Sequence, residues 1–179
     1  MNHYILTGKR EAGKTRFCQI LFRAAVARKM TVAGILTLTQ REEDLRAVDL
    51  YTEESRRLAI FNRTSFSVEA PGDDKTSRTK QWTFDASTLS WGNQRIRKAP
   101  SSNLFILDEA GILEFERDQG WTAGMARMDS QTDHCSVVVV RPELINQARK
   151  RWSNSEILYI EEQKNLREEE FISQILGTC

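Results

Sequence analysis

Apolar residues fall along the chain in two rhythms, short continuous runs and helical repeats, and the two alternate. Tyr4-Ile5-Leu6-Thr7 is a run of strand type, and Phe17, Ile20, Leu21, Ala24 and Ala27 then recur at helical spacing. Thr31 to Leu36 is β-branched and apolar, which predicts a second, buried, parallel strand and so a first strand-helix-strand unit. The rhythm breaks at the charged turn Gln40 to Asp44. Leu45 to Thr52 and Arg57 to Asn62 alternate partially, as a hairpin does, and Ala70 to Lys80 is polar and rich in turn residues. Gln81 to Phe84 reads as a short strand, and Asp85 is placed to cap a helix running to about Lys98 with Leu89 and Ile96 inward.

Four apolar residues, Leu104 to Leu107, then meet two acids, Asp108 and Glu109. A helix is predicted over Asp118 to Met128, with Trp121, Met125 and Met128 assigned to the core. His134 to Val140 is another buried strand, followed by a helix opening at Pro142 and ending near Arg151. Glu156 to Ile160 gives a last strand. Asn165 and Glu168 have the spacing of a capping box for a helix carrying Phe171, Ile172, Ile175 and Leu176, stopped by Gly177. Strands separated by helices predict a three-layer α/β fold with a mostly parallel central sheet. The break predicts a β-rich insertion at about residues 41–80.

Size and charge narrow the classes. The chain has 179 residues, 40% hydrophobic and 28% charged. That suits one domain, residues 1–179, burying roughly 70% of its unfolded surface. Twenty-six basic and 25 acidic residues give a net charge of +1, which argues against a nucleic-acid or acidic-membrane partner. No apolar run approaches the roughly 18 residues of a membrane span, and no signal-peptide pattern opens the chain, so a soluble, cytoplasmic protein is expected. Cys18, Cys135 and Cys179 are odd in number and lack metal-ligand spacing, as expected of reduced thiols. His3 and His134 start strands and read as structural.

Chemistry enters between the first strand and the first helix. Gly8-Lys9-Arg10-Glu11-Ala12-Gly13-Lys14-Thr15, followed by Arg16, fits the phosphate-binding loop G-x-x-x-x-G-K-[ST] in its required strand-loop-helix context. The glycines allow consecutive backbone N–H groups to turn inward at a helix N-terminus and form an anion site. Lys14 is placed to reach the β- and γ-phosphates of a nucleoside triphosphate, and the Thr15 hydroxyl to ligate a bridging Mg²⁺. Glu11 occupies a position where the backbone binds and the side chain turns to solvent. The strand ending in Asp108 has the form of a Walker B strand, with Asp108 as second metal ligand and Glu109 placed to orient or deprotonate the attacking water. Gly111 allows close passage of backbone near the nucleotide. Glu114 either helps order Glu109 or is a surface carboxylate. Arg141, just past a strand, either meets the γ-phosphate or is an ordinary surface arginine. The segment 71–80 is either a solvated connection or a lid bringing Lys75, Arg78 or Lys80 to the phosphates.

Phosphate loop, Val32-Ala33-Gly34-Ile35, β-rich insertion, Asp108-Glu109-Ala110-Gly111 with Leu113-Glu114, and Val137 to Arg141 follow in an order that resembles the THEP-type nucleoside-triphosphatases over almost the whole chain. That resemblance implies a P-loop α/β fold of the RecA-like branch, with an extra strand between the two motif-bearing strands. It also implies hydrolysis of nucleoside triphosphates, ATP or GTP, with little base preference, and carries the family's binding and catalytic positions onto Lys14, Thr15, Asp108 and Glu109. The family loop reads G-x-P-G-x-G-K-T-T, whereas Arg10 and Glu11 replace Pro-Gly here and Arg16 replaces the last Thr. Ala110 stands where a branched residue is commoner, and Ala47-Val48 near a usual Gly-Phe. Two other readings remain open at this level: a nucleoside or nucleotide kinase, and a nucleotide-gated protein that hydrolyses only with a protein partner.

Overall fold

The computed structural model describes residues 2–41, 44–61, 82–160 and 165–179. Its strands are β1 (Asn2–Thr7), β2 (Val32–Arg41), β3 (Asp44–Asp49), β4 (Ser55–Phe61), β5 (Trp82–Phe84), β6 (Leu104–Ala110), β7 (Cys135–Val140) and β8 (Glu156–Tyr159). Its helices are α1 (Lys14–Ala27), α2 (Ala86–Lys98), α3 (Ile112–Glu116), α4 (Thr122–Ser130), α5 (Ile145–Arg151) and α6 (Asn165–Thr178). All eight strands form one sheet in the order β5-β4-β3-β2-β6-β7-β1-β8.

Two chemistries of strand build that sheet. β2, β6, β7, β1 and β8 run parallel, and β6 and β7 are apolar without a break because both faces are covered. The hairpin β3-β4 and then β5 add antiparallel beyond β2, so the insertion extends the central sheet rather than standing apart from it. β2 continues to Arg41, farther than its apolar run, because Ile35 to Thr39 and then Arg41 pair with β3.

Alternation along each strand divides the core in two. Ile5, Phe105, Leu107, Val138 and Val140 face α2 and α4, with Trp91, Trp121 and Trp152. Tyr4, Leu6, Leu104, Ile106, Val137 and Val139 face α1 and α6, meeting Phe17, Leu21 and Ile175. The result is the expected three layers. α2 begins at Asp85, whose carboxylate accepts from the backbone N–H of Ser87 and Thr88 at 2.8 and 3.1 Å. The predicted helix at Asp118 begins only at Thr122, because Asp118 and Gly120 turn the chain at positive φ.

A buried ion pair fastens the helical layer to the sheet. Arg127 pairs with both carboxylate oxygens of Asp133 at 2.7 Å and donates to the carbonyls of Ile96, Ala99 and Pro100 at 2.7–3.0 Å. It thereby satisfies carbonyls at the end of α2 that the helix itself leaves open.

Candidate nucleotide-binding and catalytic site

Because β1, β7, β6 and β2 are parallel, their C-terminal ends share one edge, and the loop 8–13 rises from that edge between β1 and α1. Gly13 precedes α1 at φ 94°, Glu11 sits at φ 64°, and no side chain caps the helix. The first N–H groups of α1 are thus left for an anion. Gly8 backs so closely onto β8 that a Cβ there would lie 2.3 Å from the Ile160 carbonyl oxygen. Lys9, Arg10 and Glu11 expose their side chains, and Arg10 pairs with Glu11 at 3.7 Å, while Ala12 is buried under the loop. The Arg16 side chain turns to Glu168 of α6 at 3.2 Å.

Lys14 folds back over the loop. Its Nζ donates to the carbonyls of Gly8 and Lys9 at 2.7 and 2.6 Å. Burial lowers its pKa below the ordinary lysine value, while Glu109 and Asp108 pull it back up and Arg141 opposes them. All four ionisable groups therefore act on one another.

Asp108 is 1% exposed and accepts three hydrogen bonds, from Thr15 and Thr37. Thr15 Oγ1 donates to Oδ1 at 3.3 Å, the Thr37 N–H donates to Oδ2 at 3.1 Å, and the Thr37 hydroxyl donates to the Asp108 carbonyl at 3.3 Å. Burial, then the charge of Glu109, pushes the carboxyl up to about 7, and the bonds from Thr37 and Thr15 only partly offset this. A desolvated carboxylate beside a hydroxyl, short of compensating charge, fits a divalent cation. Thr37 is a site residue that the sequence reading did not single out; its signal is a threonine in the apolar course of β2.

Glu109 stands at φ 73°, unusual for a residue with a side chain, at the end of the buried part of β6. Its Oε1 accepts from Arg141 Nε at 2.8 Å and from the same guanidinium's Nη2. β7 lies beside β6, so Arg141, just past β7, is brought to Glu109 of the acid pair. Burial lowers the Arg141 pKa, and Glu109 more than restores it.

Glu114 is buried rather than a surface carboxylate. Its carboxylate accepts from the backbone N–H of Gly111 and of Trp121, each at 2.8 Å, and so ties together the chain that leaves Glu109. Burial pushes its carboxyl above the usual range against these bonds. A cavity of about 80 Å³ opens beside Glu109 and Arg141, walled by Leu45, Leu58 and Trp121. That is room for several waters, at roughly 10–15 Å³ each. The candidate lid at 71–80 lies outside the described residues. Among the described residues no helix is long and apolar enough to cross a membrane.

A family model described as NTPase matches residues 3–172. Among solved structures, a human cancer-related nucleoside triphosphatase superposes with TM-score 0.68 at 18% identity, covering 99% of this chain and 96% of that one. THEP1 from the hyperthermophile Aquifex aeolicus superposes with TM-score 0.64 at 14% identity, covering 97% and 98%. At such identities the likeness establishes the P-loop fold. No curated protein sequence matches.

Proposed function

The chain belongs to this NTPase family and is a nucleoside-triphosphatase, and from that premise we propose that it hydrolyses the γ-phosphate of ATP or GTP, with Mg²⁺ and with broad base preference. The observation that carries this is the Thr15–Asp108 hydrogen bond, which joins the phosphate loop to the acidic strand end across 93 positions of sequence. Its two oxygen groups would hold Mg²⁺, which would supply charge neutralisation for the phosphates.

The remaining chemistry belongs to the chain's own groups. Backbone N–H groups of residues 8–16 cradle the phosphate oxygens, and Lys14 leaves the Gly8 and Lys9 carbonyls for the β- and γ-phosphates. Glu109 accepts a hydrogen bond from a water in the adjoining cavity and takes its proton as the water attacks phosphorus. Arg141 exchanges its contact with Glu109 for the γ-phosphate, so one movement frees the base and delivers a cation to the developing charge. Thr37 and Glu114 hold Asp108 and the Glu109 turn in place. A single domain of residues 1–179 suffices for this chemistry, in the cytoplasm and without nucleic acid.

Phosphate release from each of the common nucleoside triphosphates, with and without Mg²⁺, tests the proposal in wild type and Lys14→Ala. Expected are Mg²⁺-dependent release from several bases and its loss in Lys14→Ala. Release that needs an added acceptor, or that survives Lys14→Ala, would overturn it.

A further inference from the structure

Away from the phosphate loop, at the opposite edge of the sheet, two thiols share one spot. Cys135 opens β7 and is fully buried, and Cys179 follows α6 half-buried. Both sulfurs approach the same oxygen, the carbonyl of Ile175, Cys135 Sγ at 3.9 Å and Cys179 Sγ at 3.1 Å. The surroundings are firmly held. Asn2, the register partner of Cys135, donates to the Thr178 carbonyl at 3.3 Å, and the Tyr4 hydroxyl meets the Thr178 hydroxyl at 3.0 Å. The end of α6 is thus pinned over the start of β7 before any covalent bond forms.

We propose that Cys135 and Cys179 form a disulfide site that staples the end of α6 to the first residue of β7. The oxidant is a low-molecular-weight disulfide. The accessible sulfur, Cys179, attacks one sulfur of the small disulfide as a thiolate, forms a mixed disulfide and releases one small thiol, which takes up a proton. Cys135 then attacks the Cys179 sulfur, closes the protein disulfide and expels the second small thiol. Two protein thiols lose two electrons and two protons in all, and the small disulfide gains them.

The environment assigns the two parts. Exposure sets them: Cys135 is fully buried and serves as the resolving thiol, and half-buried Cys179 is the entry point. Cys18 lies in α1, fully buried, with its pKa pushed up by burial, and stays reduced. α6 also carries Glu168, the partner of Arg16 next to Thr15, so the staple fixes a helix that braces the start of α1.

The full chain is incubated with glutathione disulfide or with reductant and then compared by intact mass, non-reducing peptide mapping and thermal melting. Expected are the loss of two hydrogens in mass, one peptide pair joining Cys135 to Cys179, and a rise in melting temperature of roughly 5–15 °C that reductant reverses. Cys179→Ser, at a half-exposed position, should keep its mass and show no rise. Cys135→Ser should hold glutathione on Cys179; if it does not fold, Cys179→Ser decides. Three alkylatable thiols after oxidation, a bridge to Cys18, or stable glutathione on wild-type Cys179 would overturn the proposal.

Discussion

Replacing Glu114 by glutamine preserves shape and removes charge, so it isolates what the buried carboxylate does for the turn beside Glu109. The carboxylate accepts two backbone N–H bonds, from Gly111 and Trp121, each 2.8 Å long. Bonds to a charged acceptor contribute about 1.5–3 kcal/mol each, whereas glutamine keeps one neutral acceptor at about 0.5–1.5 and turns its own N–H₂ toward the other donor. The N–H left without a partner costs about 1–3 kcal/mol more. Against this, the charge is already penalised by burial, as its raised pKa shows, and that penalty disappears. The net loss is about 2–3 kcal/mol, or a fall in melting temperature of roughly 4–12 °C at this chain length. Gly111 lies two residues past Glu109, so the loosened turn should also lower kcat about tenfold, about 1.4 kcal/mol, with KM nearly unchanged because the phosphate loop is untouched. Calorimetric melting and phosphate release on the same samples read both effects. An unshifted melt with an unchanged kcat would refute the claim that Glu114 orders the catalytic turn.

Arg127→Ala leaves Asp133 without its buried cation and three carbonyls without a donor, and should cost about 3–5 kcal/mol in urea unfolding; a loss below about 1 kcal/mol would contradict the fastening role of the buried pair. Acid titration reads the same pair: burial raises the Asp133 pKa, but bonds from Arg127 and Ser102 outweigh it and leave the carboxyl below its ordinary value of 3.8. Its contribution is therefore complete above about pH 4 and is lost as pH falls through the folded value, so wild type should lose more stability than Arg127→Ala over that interval. Arg141→Ala should lower kcat by roughly 10²-fold while ADP affinity stays constant, because the proposed contact of the guanidinium is with the γ-phosphate that ADP lacks; equal weakening of ADP and ATP would assign it to ground-state binding.

Much of this arrangement is legible in one dimension because the parallel strands are buried on both faces and so appear as unbroken apolar runs. Val137 to Val140 and Leu104 to Leu107 announce themselves, and the phosphate loop and the acids at 108–109 sit at the ends of such runs. The Asp85 cap is equally local. What stayed hidden is what only contact creates. Arg127 and Asp133 look like ordinary surface charges until three helix-end carbonyls close around the guanidinium. Thr37 is one of two hydroxyls in β2, and its role depends on the neighbouring strand that brings Asp108 alongside. Gly92, in the middle of α2, makes room for the Trp121 ring, which a Cβ would approach within 2.4 Å. Glu114 is buried and Arg141 pairs with Glu109, contacts that their positions in sequence do not show.

The most direct measurement is single-turnover phosphate release by Glu109→Gln, with nucleotide affinity determined on the same preparation. If Glu109 directs the attacking water, affinity stays within a few-fold of wild type while the rate falls by roughly 10²–10⁴, about 2.7–5.5 kcal/mol. A variant that binds nucleotide and releases phosphate at the wild-type rate would contradict the account.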